Sequence, residues 1–145
     1  MLLRKTAFLL LQATGWRISE LHACVRNSEF CSFINNSLFL RPHPSFLANN
    51  ERWKHKEIKI LKLQDGTISN LCPVTNLRRY LKITQKFKEG DLFLTPKNKK
   101  LTVHGLSTLT CLLILQADPS TKAKVHDIRK YAASYALAET MLKGT

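Results

Sequence analysis

Two short segments of the sequence gather side chains able to hold an anion. Thr14-Gly15-Trp16-Arg17-Ile18-Ser19-Glu20-Leu21 places an arginine just after a glycine turn. His126-Asp127-Ile128-Arg129-Lys130-Tyr131 places a histidine and an arginine three positions apart, so on a helix they share a face. A guanidinium is a planar fork of donors that keeps its proton, which suits it to the paired oxygens of a phosphate. An imidazole adds a further donor or a proton carrier near neutral pH. A pair in the first turn of a helix also sits beside backbone N–H groups that lack a helical partner, a second attraction for an anion. Taken singly, each feature is ordinary. An arginine after a glycine is commonly a surface or capping residue, and His-x-x-Arg spacing arises often on basic helices.

The charge balance gives these cations a context. Lys and Arg total 23 against 10 Asp and Glu in 145 residues, a net charge of +13. An excess of that size favours polyanionic partners, nucleic acid first and an anionic membrane surface second. A hydrophobic fraction of 44% with 23% charged residues is ordinary globular usage, and five Gly and five Pro rule out collagen-like or Pro-rich architecture. No apolar run approaches the ~20 residues that span a bilayer. The run Ala7 to Leu11 ends at Gln12; although Arg4 and Lys5 precede it as in a secretion signal, it is short for one and no A-x-A site follows. Cys24, Cys31, Cys72 and Cys111 form no C-x-x-C pair, so free thiols in a reducing, intracellular setting are expected.

The elements that must position the cations can be read from periodicity. Leu3 to Thr14 has helical spacing and stops at Gly15; a short second helix starts near Ile18, with Glu20 in its first turn where a negative charge suits the dipole. Phe30, Phe33, Leu38, Leu40, Ile58, Ile60 and Leu61 lie in short segments of strand-like alternation. Between them, Arg41 to Lys56 is rich in Pro, His, Asn and Lys and reads as a long basic hairpin loop, and Asp65-Gly66 is a turn signal. Helical spacing returns after Pro73, with Val74, Leu77 and Leu81 inward and Arg78, Arg79, Lys82, Lys86 and Lys88 mostly facing water or DNA. Leu92-Phe93-Leu94 reads as a short buried segment, Lys97 to Lys100 as a basic loop, and Thr102 to about Gln116 as a mostly apolar helix broken by Asp118-Pro119-Ser120. A last helix runs from near His126 to about Leu142. The expected class is α+β, mostly helical, with a small antiparallel sheet and a basic hairpin, in a single domain over 1–145.

The two opening segments, in this order and at this separation, resemble the catalytic domain of tyrosine recombinases, the phage-type integrases. That family carries T-G-x-R-x-S-E-L near the start of the domain and H-x-x-R at the start of a late helix, matched here by Arg17 and by His126 with Arg129. The resemblance extends over nearly the whole chain, and the wording around His126 is most like recombinases of eukaryotic mobile elements. It implies DNA integration or recombination: a tyrosine hydroxyl attacks a DNA phosphodiester, a phosphotyrosyl bond forms and a 5′-hydroxyl leaves. Arg17 and Arg129 would hold the charge on the non-bridging oxygens, with His126 as third donor or proton-transfer group. The reaction needs no metal and no small-molecule cofactor. A hairpin lysine that protonates the leaving oxygen falls on Lys54, with Lys56 as the alternative, since Asn49 and Asn50 stand where relatives of this style carry it. Arg52, Lys54, Lys56, Lys99, Lys100 and Lys130 would grip the flanking backbone of double-stranded DNA.

The family's second histidine or tryptophan and its tyrosine nucleophile come well after the H-x-x-R helix, and the chain reaches Thr145 without them. Tyr131 and Tyr135 lie two and six residues beyond Arg129 and read as core, and Tyr80, among basic neighbours, as a residue that packs or stacks. The N-terminal DNA-clamping domain of the family is likewise not seen before Arg17. Residues 1–145 alone are therefore expected to bind DNA without cleaving it, the full-length protein to oligomerise on DNA, and the location to be nuclear if the source is eukaryotic. A non-catalytic nucleic-acid-binding module, for RNA included, or a decayed mobile-element relic are the alternatives. The remaining signals are weaker. Cys24 and Cys31 with His22 lack zinc-ligand spacing, and Ser19 reads as a helix-start capping residue. His43 and His55 read as facing phosphate or solvent; Trp16 and Trp53 could stack on DNA, with burial the default for Trp16.

Overall fold

The computed structural model describes residues 2–45, 57–62, 71–86, 90–95, 97, 99–120, 122, 124 and 127–128. Its first helix, α1 (Leu2–Thr14), buries Thr6, Ala7, Leu9, Leu10 and Leu11. Three consecutive buried leucines exceed what one helix face can hide. They are accommodated because α1 packs against two other helices, α3 (Pro73–Ile83) and α4 (Val103–Ala117). Gly15 ends α1 with φ of 70°, a conformation that costs a residue with a Cβ, and its N–H bonds the Leu11 carbonyl at 2.9 Å. Thr14 secures the exit: its hydroxyl donates to the Leu10 carbonyl at 2.8 Å and accepts from the Trp16 N–H at 3.1 Å.

The chain then turns into α2 (Ile18–His22), one and a half turns packed on α4, and enters a three-stranded antiparallel sheet. The strands are β1 (Cys31–Ile34), β2 (Ser37–Leu40) and β3 (Ile58–Leu61), in spatial order 1-2-3. Asn35 and Asn36, at φ of 50° and 65°, join β1 to β2 in a two-residue turn with both central residues left-handed, the form that matches strand twist. The register Cys31↔Leu40↔Ile58 and Phe33↔Leu38↔Ile60 puts these six residues on one face. Of them, Cys31, Leu38, Leu40 and Ile60 are buried in the core with Leu10, Leu21, Leu77, Leu92 and Leu106. The other face carries Ser32, Phe39 and Lys59 in one row, with Ile34 and Leu61 exposed beyond them.

Pro73 occupies the first turn of α3, where its missing N–H goes unneeded. Val74, Leu77 and Tyr80 face inward, and Arg78, Arg79, Lys82 and Lys86 are exposed. Segment 90–95 has no full strand. It is held by isolated bridges, Val25↔Asp91 and Leu94↔Lys100, with Leu92 and Phe93 buried. Thr102 caps α4 by accepting the Gly105 N–H at 2.9 Å, and α4 closes at Asp118. The result is α+β with a predominance of helix. Of the last expected helix, Asp127 and Ile128 are helical in the described residues.

Candidate functional site

Arg17 stands at the N-cap of α2 with an extended backbone (φ −75°, ψ 156°). Its own N–H is bound by the Glu20 carboxylate at 3.1 Å, and its carbonyl receives the N–H groups of Glu20 and Leu21 at 3.0 and 3.2 Å. Sequence reasoning gave the helix-start capping to Ser19. That expectation is corrected here: Ser19 lies inside the first turn, and the longer Glu20 side chain reaches back to the cap, as a third-position acid does in a capping box. Trp16 beside it is 9% exposed, so it anchors the turn in the core and has no free face for stacking on DNA. These contacts fix the backbone on both sides of Arg17 while its side chain remains exposed to solvent. A rigid base with a free guanidinium is the arrangement an anion-holding arginine requires.

The other end of α2 carries a link that sequence reasoning did not assign. His22 Nε2 contacts the Leu101 carbonyl, and Leu101 is buried. This tie across the fold holds Leu101, the residue that follows the exposed Lys99 and Lys100, at the C-terminal end of α2. Arg17 begins the same helix, about 7–8 Å of helical rise away. Nothing local marks His22 for this role, because its partner lies 79 residues downstream. Lys99 is further ordered by its N–H bonding the Thr95 hydroxyl at 3.0 Å and by its carbonyl accepting the Thr95 N–H at 2.8 Å.

Of the expected site residues, Arg17, Lys99 and Lys100 are described and exposed: Arg17 caps α2, and the two lysines precede Leu101, which His22 contacts. His126, Arg129, Lys130, Arg52, Lys54 and Lys56 lie outside the described residues, as do His55, Trp53, Tyr131 and Tyr135. His43, expected to meet phosphate or solvent, is half-exposed, with its ring 5.1 Å from that of Phe30 and its Nδ1 engaging Ser45. Tyr80 is packed as expected: its hydroxyl accepts the Leu94 N–H at 3.0 Å, and its ring meets Phe93. Burial pushes its phenol above the ordinary value.

Two of the thiols, Cys24 and Cys31, are poor nucleophiles. Burial raises Cys31 to about 11 and Cys24 further still, so both stay protonated at neutral pH. None of the four cysteines forms a disulfide, and no group of three metal-ligating side chains occurs among the described residues. No helix of the described residues is long and apolar enough to cross a membrane.

An apolar groove of about 940 Å³ opens between α1 and α4, lined by Phe8, Leu9, Leu113, Ile114 and Ile128 with Lys5 and Asp127 at its edge. It contains neither Arg17 nor the Lys99–Lys100 loop, so the candidate anion site lies outside this groove. Compared with protein-family profiles, with characterised proteins and with solved structures, the chain matches none.

Proposed function

We propose that this chain is the tyrosine-recombinase-like catalytic domain of a DNA-integrating or recombining protein, and that it binds duplex DNA around one phosphate held by Arg17. The observation that supports this reading best is the braced start of α2, where Arg17 has its backbone held by Glu20 and its side chain exposed, with the His22–Leu101 tie at the other end of the same helix. An exposed arginine at the start of a braced helix, within a chain of net charge +13, is suited to a phosphodiester and its neighbours. In this reading His126 and Arg129 complete the cradle. Arg17 and Arg129 each donate to the non-bridging oxygens as negative charge gathers there, and His126 donates or carries a proton. In strand cleavage, the tyrosine oxygen bonds to phosphorus as the bond to the 5′ oxygen breaks, and that oxygen leaves as a hydroxyl after taking up a proton. The nucleophile would be supplied from outside residues 1–145, so this stretch alone binds and does not cleave.

Fluorescence anisotropy with a labelled duplex tests the proposal. Arg17→Ala removes one charge-assisted contact, about 1.5–3 kcal/mol. That corresponds to roughly a 10- to 100-fold weaker Kd. Lys122→Ala, at another exposed position, is expected to change it less than threefold. Equal effects of the two substitutions, with the fold intact by circular dichroism, would overturn the site and leave a non-catalytic nucleic-acid-binding module as the better reading.

A further inference from the structure

The exposed face of α3 carries a segregated row of positive charge. At 3.6 residues per turn, Arg78, Lys82 and Arg79 fall within about 100° of arc. All three are exposed, whereas Val74, Leu77 and Tyr80 on the opposite arc are buried. No acidic residue occurs between Pro73 and Lys86 to neutralise them. Arg78 is also ordered, its guanidinium lying 4.8 Å from the centre of the Phe33 ring on β1. A side chain already held in place loses little freedom when it meets a ligand.

This face lies on a different helix from the Arg17 site. α3 and α4 pack separately on α1, while α2, with Arg17 at its start, packs on α4. We propose that the outer face of α3 is a second polyanion-binding surface, which takes the sugar-phosphate backbone of duplex DNA away from the phosphate held by Arg17. The inference rests on the DNA-binding reading above and adds a surface to it.

The composition of the face selects the ligand. Single-stranded nucleic acid is gripped largely by bases stacking on exposed aromatic rings. Here Tyr80 is buried and the Phe33 ring is covered by Arg78, so α3 offers no such platform. A membrane-surface helix needs its apolar face free to enter the lipid, and that of α3 is spent in the core. What remains is a rigid row of cations, the footprint of backbone contacts that ignore sequence.

The test replaces Arg78, Arg79 and Lys82 together by Gln in residues 1–145 and follows binding to a duplex, and to its single strand, from 50 to 200 mM salt. Three lost phosphate contacts should lower the slope of log K against log salt by about 2–3 for the duplex. The variant with Arg78→Lys and Arg79→Lys should keep the parental slope. An unchanged slope in the triple variant overturns the proposal whatever Arg17→Ala does. So does a loss confined to the single strand, or an equal loss in the charge-preserving variant. If Arg17→Ala is silent and the triple variant loses slope, the α3 surface stands and the phosphate cradle falls. Absence of any duplex binding by the parent overturns both.

Discussion

Arg26 offers a direct check on how the centre of this fold is held. It follows the bridge residue Val25 and sends one guanidinium to three backbone carbonyls and a hydroxyl. Nε donates to Asp91 O at 2.9 Å, Nη1 to Thr84 O at 3.0 Å and to Thr84 Oγ1 at 2.7 Å, and Nη2 to Leu92 O at 3.1 Å. The same group lies 5.7 Å from the centre of the Tyr80 ring. It thereby joins the C-terminal end of α3 to segment 90–92 and to the turn before β1. Burial lowers its pKa from the ordinary arginine value, so part of the gain is offset by desolvation. Four bonds at about 1 kcal/mol each, less that offset, give a net contribution of roughly 3 kcal/mol. Arg26→Met keeps the aliphatic stem and removes every donor. Urea unfolding should show a loss of about 3 kcal/mol with an unchanged m-value, and Tm should fall by about 10 °C. Arg26→Lys keeps the charge but cannot span three carbonyls, and should show at least half of that loss. A loss below about 0.5 kcal/mol for Arg26→Met would refute the reasoning, because water would then satisfy those carbonyls as well as the guanidinium does.

Two further expectations concern a turn and the thiols. Gly15→Ala forces a Cβ into a backbone at φ of 70° and should cost about 1–2 kcal/mol in the same unfolding assay, with DNA affinity shifting only if Arg17 is displaced. Cys31, raised to about 11 in the folded state, ionises near 9 once unfolded. The folded state then holds its proton more tightly, so stability from this group is complete below pH 9 and is lost as pH rises from 9 through 11. A thiol reagent at pH 8 should accordingly label the half-exposed Cys111 well before Cys24, Cys31 and Cys72, with the three released together by urea.

Much of the architecture was legible because its signals are local. Gly15 ends a helix through its own φ, Pro73 starts one through its missing N–H, and the alternation of Leu38 and Leu40 with Phe39 assigns a strand face by period alone. The Asn35-Asn36 turn was legible too, since asparagine tolerates the left-handed region, but it is a quieter signal than Asp-Gly and went unread. At the candidate site, Arg17 could be found from its motif. The roles of His22 and Arg26 could not, because each is defined by carbonyls 58 or more residues away that any sequence could supply. A carbonyl has no identity in the sequence. The reach of His43 back to Phe30 was hidden for the same reason, its neighbour being chosen by the return of β2 alongside β1.

The position of α1 between two later helices also has a bearing on synthesis. Thr14 leaves the ribosome 59 residues before Pro73 and 89 before Val103, the first residues of the helices that cover it. At about 5–20 residues per second, Leu9, Leu10 and Leu11 therefore wait from several seconds to more than ten for both partners. During that interval α1 has only α2 and the sheet to pack on, and the rest of its apolar face is the kind of surface that holdase chaperones recognise and that associates when nascent chains are crowded. The same helix that organises the finished core is thus the segment of the described chain most in need of protection while the core is being made.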